Sequence, residues 1–244
     1  RIQSMSPTAD QVPSPKSQRS QRVFVGITGA SGHAYAHGLL IALAGAGLEI
    51  DLAVTSAGAK VLDHEQDVVV DPDGRIPLDR LQAWLGKGPA AAIRMWGNDE
   101  IGAPPASGTA LGASVILCPC SMGTMARVAA GFSSNLVERA ADVAIKEKRR
   151  LIVVARETPV SEIHLENMLR LAQLGATLLP ASPGFYHHPK TIDDLVSHLV
   201  SKILDSAGID TKASIRWAGL EGDAAEPPVE PGVEPNSDLG SRVT

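Results

Sequence analysis

The chain has 244 residues, 44% hydrophobic and 20% charged, which suits one α/β domain and excludes a polypeptide disordered throughout. No apolar run approaches the roughly 20 residues of a bilayer-spanning helix, and a net charge of -5 offers no basic field to nucleic-acid phosphates, so a membrane-spanning helix is excluded and neither a membrane nor a nucleic-acid partner is expected. With 3% aromatic residues, the core must come from Val, Leu, Ile and Ala.

Residues 1–21, rich in Ser, Pro and Gln without an apolar stretch, read as a flexible leader and not as a secretory signal. An apolar strand over 23–28 leads into Gly29-Ala30-Ser31-Gly32 and a helix reaching Ala46. A second strand is expected over 50–55, with a helix starting at Ser56. Residues 71–112, rich in Gly, Pro, Ala and Asp, read as a long irregular connection, functional or mobile. Further strands are expected over 114–117, 151–155 and 176–179, and helices over 122–130, 135–148, 161–174 and 192–207. Residues 221–244 place four prolines among acidic and small residues and read as a flexible acidic tail. One folded domain is therefore expected over 22–220. Uninterrupted apolar strands alternating with helices imply a doubly wound parallel sheet, which binds ligands at the carboxyl ends of its strands.

The turn 29–32 sits where strand one becomes a helix. Glycines bring the backbone close to an anion, and the helix N-terminus offers N–H groups and a positive dipole end, so a phosphate ligand is expected. The alternative is a plain turn in which Ser31 caps the helix. No Gly-Lys-Ser/Thr tripeptide completes a P-loop, the glycines are spaced GxxGxxG, and strand two ends in Thr55-Ser56 instead of an acid. A mononucleotide fits better than a dinucleotide, with Ser31 and Ser56 as neutral donors. Ser121-Met122-Gly123-Thr124, after strand three, forms a second such turn, suited to capping or to ligand contact. Cys118 and Cys120, one residue apart, fit neither a disulfide framework nor a zinc knuckle and suit a reducing compartment.

Arg139 and Lys146 are seven apart on one helix and share a face. Arg156 and Glu157 follow strand four, Tyr186 follows strand five, and Lys202 lies on the last helix with Trp217 beyond it. Each has a plain alternative as a solvated face or local ion pair. Together, cations and a phenol suit a phosphate group, and Glu157 can carry a proton if burial raises its pKa.

The segments GITGASG, VTSAGAK, APPASG, ILCPCSMGT, NLVERAADVAIKEKRRLIVVARETP, HLENMLRLAQLGATLLPASPGFYHHP and the final RW resemble the UbiX/Pad1-type flavin prenyltransferases, in that family's order. The resemblance implies a Rossmann-like (flavodoxin-like) sheet binding FMN, a homo-oligomer that is typically a dodecamer, and a cytoplasmic enzyme. The implied reaction joins the dimethylallyl group of dimethylallyl phosphate to reduced FMN at N5 and C6, for use by a UbiD-type decarboxylase. By motif, Gly29, Ala30, Ser31, Ser56, Ser121, Met122, Gly123, Thr124 and Arg156 resemble FMN contacts. Arg139, Lys146, Arg156, Tyr186, Lys202 and Trp217 resemble the prenyl-donor site, and Glu157, Ser31 and Glu65 the catalytic residues. Glu65 matches only if one residue is deleted; in ungapped register Gln66 falls there. Many relatives carry Lys in place of Gly123 and Arg in place of Lys202, so one cation is missing here and one bidentate fork is lost. No divalent metal is expected, since no DDxxD pair is present. The competing expectations are a non-catalytic FMN carrier and an FMN-dependent cysteine decarboxylase, although the PxMN motif of the latter is not evident.

Overall fold

A computed structural model of the chain describes residues 21–210. The expected leader up to residue 20, Trp217 and the 221–244 tail lie outside them. Six strands, β1 (Arg22–Ile27), β2 (Glu49–Val54), β3 (Ile93–Trp96), β4 (Ser114–Cys120), β5 (Arg150–Ala155) and β6 (Thr177–Pro180), form one sheet in the order β3-β2-β1-β4-β5-β6. Every pairing is parallel, as expected from continuous apolar strands alternating with helices.

The helices are α1 (His33–Gly45), α2 (Ser56–Gln66), α3 (Leu78–Leu85), α4 (Lys87–Ala91), α5 (Met122–Ala129), α6 (Leu136–Lys146), α7 (Glu162–Gln173) and α8 (Ile192–Ala207). Alternate strand residues face opposite ways. Val23, Val25 and Ile27 pack with Leu39, Leu40, Leu62, Leu81 and Ile203, from α1, α2, α3 and α8. Phe24 and Val115 pack with Met125, Val137, Ala141 and Leu171, from α5, α6 and α7. The sheet is thus covered on both faces, as expected for a doubly wound domain.

Two expectations are corrected. The segment 71–112 contains a strand and two helices, β3, α3 and α4, instead of a single irregular connection. Its strand, Ile-Arg-Met-Trp, sits at the sheet edge with no fully buried residue, so it lacks the continuous apolar run that marks β1 or β5. The third expected strand, β4, continues three residues past 117, through Cys118-Pro119-Cys120. Pro119 has no N–H for the ladder, and the pairing with β5 shifts register between Leu117 and Cys120. Burial of all seven β4 residues carries the strand on.

Candidate active site

β1 and β4 are neighbours, but the helices that follow them pack on opposite faces, which opens a crevice at their carboxyl ends. Thr28 ties the two turns together. Its Oγ1 donates to the Pro119 carbonyl at 2.8 Å and accepts from the Ser121 N–H at 2.8 Å. The Ser121 hydroxyl caps α5, accepting from the Thr124 N–H at 3.3 Å and donating to Thr124 Oγ1 at 3.1 Å. Beside it, a Cβ on Gly123 would meet nothing within 4 Å, so the backbone there is open to close approach.

In the first turn the helix N-terminus is occupied by a side chain of the protein itself. Gly32, at φ +106°, presents its N–H and that of His33 to Glu65, and Glu65 Oε2 accepts both at 2.9 Å. The helix N-terminus expected to seat a ligand phosphate therefore seats the protein's own carboxylate, the anion favoured by the exposed N–H groups and dipole. Partial burial pushes this carboxyl up, but bonds from the Ser31 hydroxyl and the two amides outweigh it and hold the group below its ordinary value. Gln66 has a different task, donating to the Glu65 carbonyl at 3.0 Å and accepting from Trp84 Nε1 at 3.3 Å. Of the two candidates, Glu65 and not Gln66 is the side chain that faces the first turn.

His33 is fully buried behind the carboxylate. Its Nε2 lies 3.2 Å from the Thr28 carbonyl, and its Nδ1 faces Glu65 Oε2 at 3.4 Å. Burial lowers its pKa and outweighs the opposing pull of the Glu65 charge. Helix α2 is pressed against the same turn: a Cβ on Gly29 would stand 2.7 Å from Ala57 Cβ, and one on Gly58 would stand 2.8 Å from the Ile27 carbonyl oxygen. Ser56, exposed at the start of α2, lines a cavity of about 310 Å³ with Lys60, Asp71 and Asn98. From the end of β5, Arg156 Nε donates to the Ser31 carbonyl at 3.1 Å. Ser31, Glu65 and Arg156 are thus brought together.

Glu157, Arg139, Lys146, Tyr186 and Lys202 do not join that contact. Glu157 is exposed, with its carboxylate accepting from the Thr158 N–H at 3.0 Å, so the burial expected to make it a proton carrier is not found among the described residues. Arg139 bonds the Ala106 carbonyl at 3.4 Å and pairs with Asp142 at 3.3 Å. Helix α6 runs against the strands, so Lys146, its last residue, lies about 10 Å further along the axis toward the amino edge of the sheet. There it sits 3.7 Å from Glu147. Tyr186 and the exposed Lys202 belong to the opposite face with α8, where the Tyr186 hydroxyl lies 2.7 Å from His198 Nε2. The cations and the phenol therefore divide between two sides of the sheet.

The sequence profile of the Flavoprotein family matches residues 11–204. Flavin prenyltransferase UbiX of Pseudomonas aeruginosa is 43% identical over 197 residues, covering 81% of this chain and 94% of that protein. The chain belongs to the flavin prenyltransferase family. A crystal structure of AnUbiX (PadA1) in complex with FMN and dimethylallyl pyrophosphate matches the fold with a TM-score of 0.71 at 35% identity, covering 82% of this chain and 99% of that one. A dodecameric FMN-dependent UbiX-like decarboxylase from Escherichia coli O157:H7 matches with a TM-score of 0.68 at 35% identity, covering 81% and 100%.

In this flavin prenyltransferase family member, the site residues that sequence reasoning passed over are Thr28, His33 and His198. Of the two histidines, only His33 carries a legible signal, since it falls on the apolar face of its helix in step with Ala36 and Leu40; His198 lies off the apolar face of α8, one turn before the exposed Lys202, and contacts the loop that carries Gly184 and Tyr186. Thr28 carries a weaker one, a hydroxyl closing an otherwise apolar strand.

Proposed function

We propose that the chain transfers the dimethylallyl group of dimethylallyl phosphate to N5 and C6 of reduced FMN, making the prenylated flavin for a UbiD-type decarboxylase. The observation that carries this reading is the meeting of Ser31, Glu65 and Arg156 in the switch-point crevice of a flavin prenyltransferase family chain. FMN supplies the ring nucleophile. Because Glu65 already takes the α1 amides, the flavin phosphate belongs at the N-terminus of α5, where Gly123 leaves the backbone open and the Ser121 and Thr124 hydroxyls stand beside it. Gly29, Ala30, Ser31, Ser56, Met122 and Arg156 complete its binding surface.

Breaking the allylic C–O bond loads charge onto the leaving phosphate, and Arg139, Lys146, Lys202 and the Tyr186 hydroxyl stabilise that charge where it develops. Since these residues lie on two sides of the sheet in one chain, the donor site is completed by a neighbouring copy, in a homo-oligomer like the dodecamer described for the E. coli relative. Helix α7 supports such assembly: it buries only Leu171 and leaves Ile163, Leu165 and Leu169 54–66% exposed. Glu65, an anion against Ser31, accepts a ring proton, and Glu157 joins it once a second copy covers the exposed carboxylate. The cytoplasm suits the two free, buried thiols, which burial pushes up, Cys120 to about 12. Among the described residues, no helix is long and apolar enough to cross a membrane.

Anaerobic mixing of the protein with reduced FMN and either dimethylallyl phosphate or the diphosphate tests the reading. The flavin mass should rise by one five-carbon unit with the monophosphate, and Glu65→Gln should slow this about 100-fold or more. Unaltered FMN with both donors would leave a carrier instead of a transferase.

A further inference from the structure

The loop between β6 and α8 closes over a buried histidine. His198 is 7% exposed, its ring stacks on His187 at 4.7 Å and 9°, and the Tyr186 ring meets it edge-on at 5.3 Å and 81°. The packing leaves no slack, because a Cβ on Gly184 would stand 2.7 Å from Tyr186 Cε1 and 3.3 Å from His198 Cε1.

Two hydrogen bonds fix the ring's proton. The Gly184 N–H is within 3.3 Å of Nδ1, and an amide N–H can only donate, so Nδ1 accepts. A neutral imidazole accepting at Nδ1 carries its hydrogen on Nε2, and Nε2 lies 2.7 Å from the Tyr186 hydroxyl. The ring stays neutral: burial, with the nearby His187 and Lys202, lowers its pKa. The phenol oxygen thus receives a hydrogen bond, and any further partner of its O–H must be an acceptor. Accepting one bond also polarises a hydroxyl toward donating the next.

We infer that His198 is a positioning residue: as its Nε2–H tautomer it orients Tyr186 to donate to an anionic oxygen of the prenyl donor. This rests on the reading of Tyr186 as a donor-phosphate contact. An anion suits this setting, since Tyr186, 42% exposed as a residue, follows β6 at the carboxyl edge of the sheet and Lys202 follows His198 by one helical turn.

The test is a double-mutant cycle read as KM for dimethylallyl phosphate against kcat and against KM for reduced FMN. Tyr186→Phe is expected to raise the donor KM about tenfold, the weight of one hydrogen bond to a charged group. His198→Phe should raise it by a similar factor with kcat at saturation and the flavin KM little changed, and the double variant should be no worse than either alone. His198→Gln, whose Nε2 amide can still donate, should recover most of the loss. In the unsubstituted protein, nitrogen-15 NMR should report the Nε2–H tautomer for His198. Multiplying effects in the double variant, an unchanged donor KM in His198→Phe, or an Nδ1–H tautomer would each overturn the inference while leaving Tyr186 in the donor site. An unchanged donor KM in Tyr186→Phe would instead overturn the reading of Tyr186, and the role of His198 with it.

Discussion

Glu65 and His33 share one small volume behind the first turn, and the backbone decides how each is charged. Two amides and the Ser31 hydroxyl favour the carboxylate, while full burial favours the neutral imidazole. Both groups have folded-state pKa values below their ordinary ones, so the unfolded chain takes up each proton first. Stability is then complete at neutral pH and is lost on acidification, starting below about 6.5 for the imidazole and below about 4.3 for the carboxyl. His198 contributes in the same upper window, for the same reason of burial. Urea midpoints measured between pH 7.5 and 4 should fall from about pH 6.5 downward, and His33→Gln should flatten the upper part of that slope without abolishing it. A midpoint independent of pH between 6.5 and 5 would show that neither imidazole is held neutral by the fold. None of this coupling could be read from residues 32 positions apart. The turn was legible as an anion site; which anion fills it depends on where α2 ends in space.

At the scale of elements, apolar periodicity marked β1, β2, β5 and every helix after residue 120, because each strand is buried along nearly its whole length or each helix shows one apolar face. It failed for β3, whose neighbours hide only part of it, and for the end of β4, where proline chemistry argued for a turn. Close approach between elements is where a local rule reverses. Gly58 lies inside α2, and alanine is ordinarily favoured over glycine in a helix by about 1 kcal/mol. Here its Cβ would stand 2.8 Å from the Ile27 oxygen and 3.1 Å from the Thr28 carbonyl carbon, both of them backbone atoms that cannot swing away. Gly58→Ala is therefore expected to destabilise by about 1–3 kcal/mol, a fall in Tm of several degrees on thermal melting. A melting point at or above that of the parent would mean that α2 slides freely over the turn.

For the whole molecule, the distribution of charge matters more than its sum. Arg139 sits against the Ala106 loop under one face of the sheet, Lys146 lies at the far end of the same helix, and Tyr186 and Lys202 stand on the other face. A phosphate site using all of them needs more than one copy of the chain, and the apolar surface of α7 offers a place to join. Leu165 and Leu169, four residues apart, share a helical face. Leu169→Glu should shift the particle to smaller species in light scattering, remove prenyl transfer, and leave the far-ultraviolet circular dichroism unchanged. Full activity in a dissociated protein would place the donor site within a single chain.

Apolar runs, glycine spacing and an unbroken set of motifs already determined a doubly wound sheet, its ligand-bearing edge and the family, because each is a property of neighbouring residues along the chain. Tertiary structure alone decided that Glu65 and not Gln66 faces Ser31, that the first turn is closed by a side chain of the protein, that His198 backs Tyr186, and that the cations part company across the sheet. Those outcomes depend on distances between segments far apart in sequence. Helix ends and face assignments set such distances, and no local pattern encodes them.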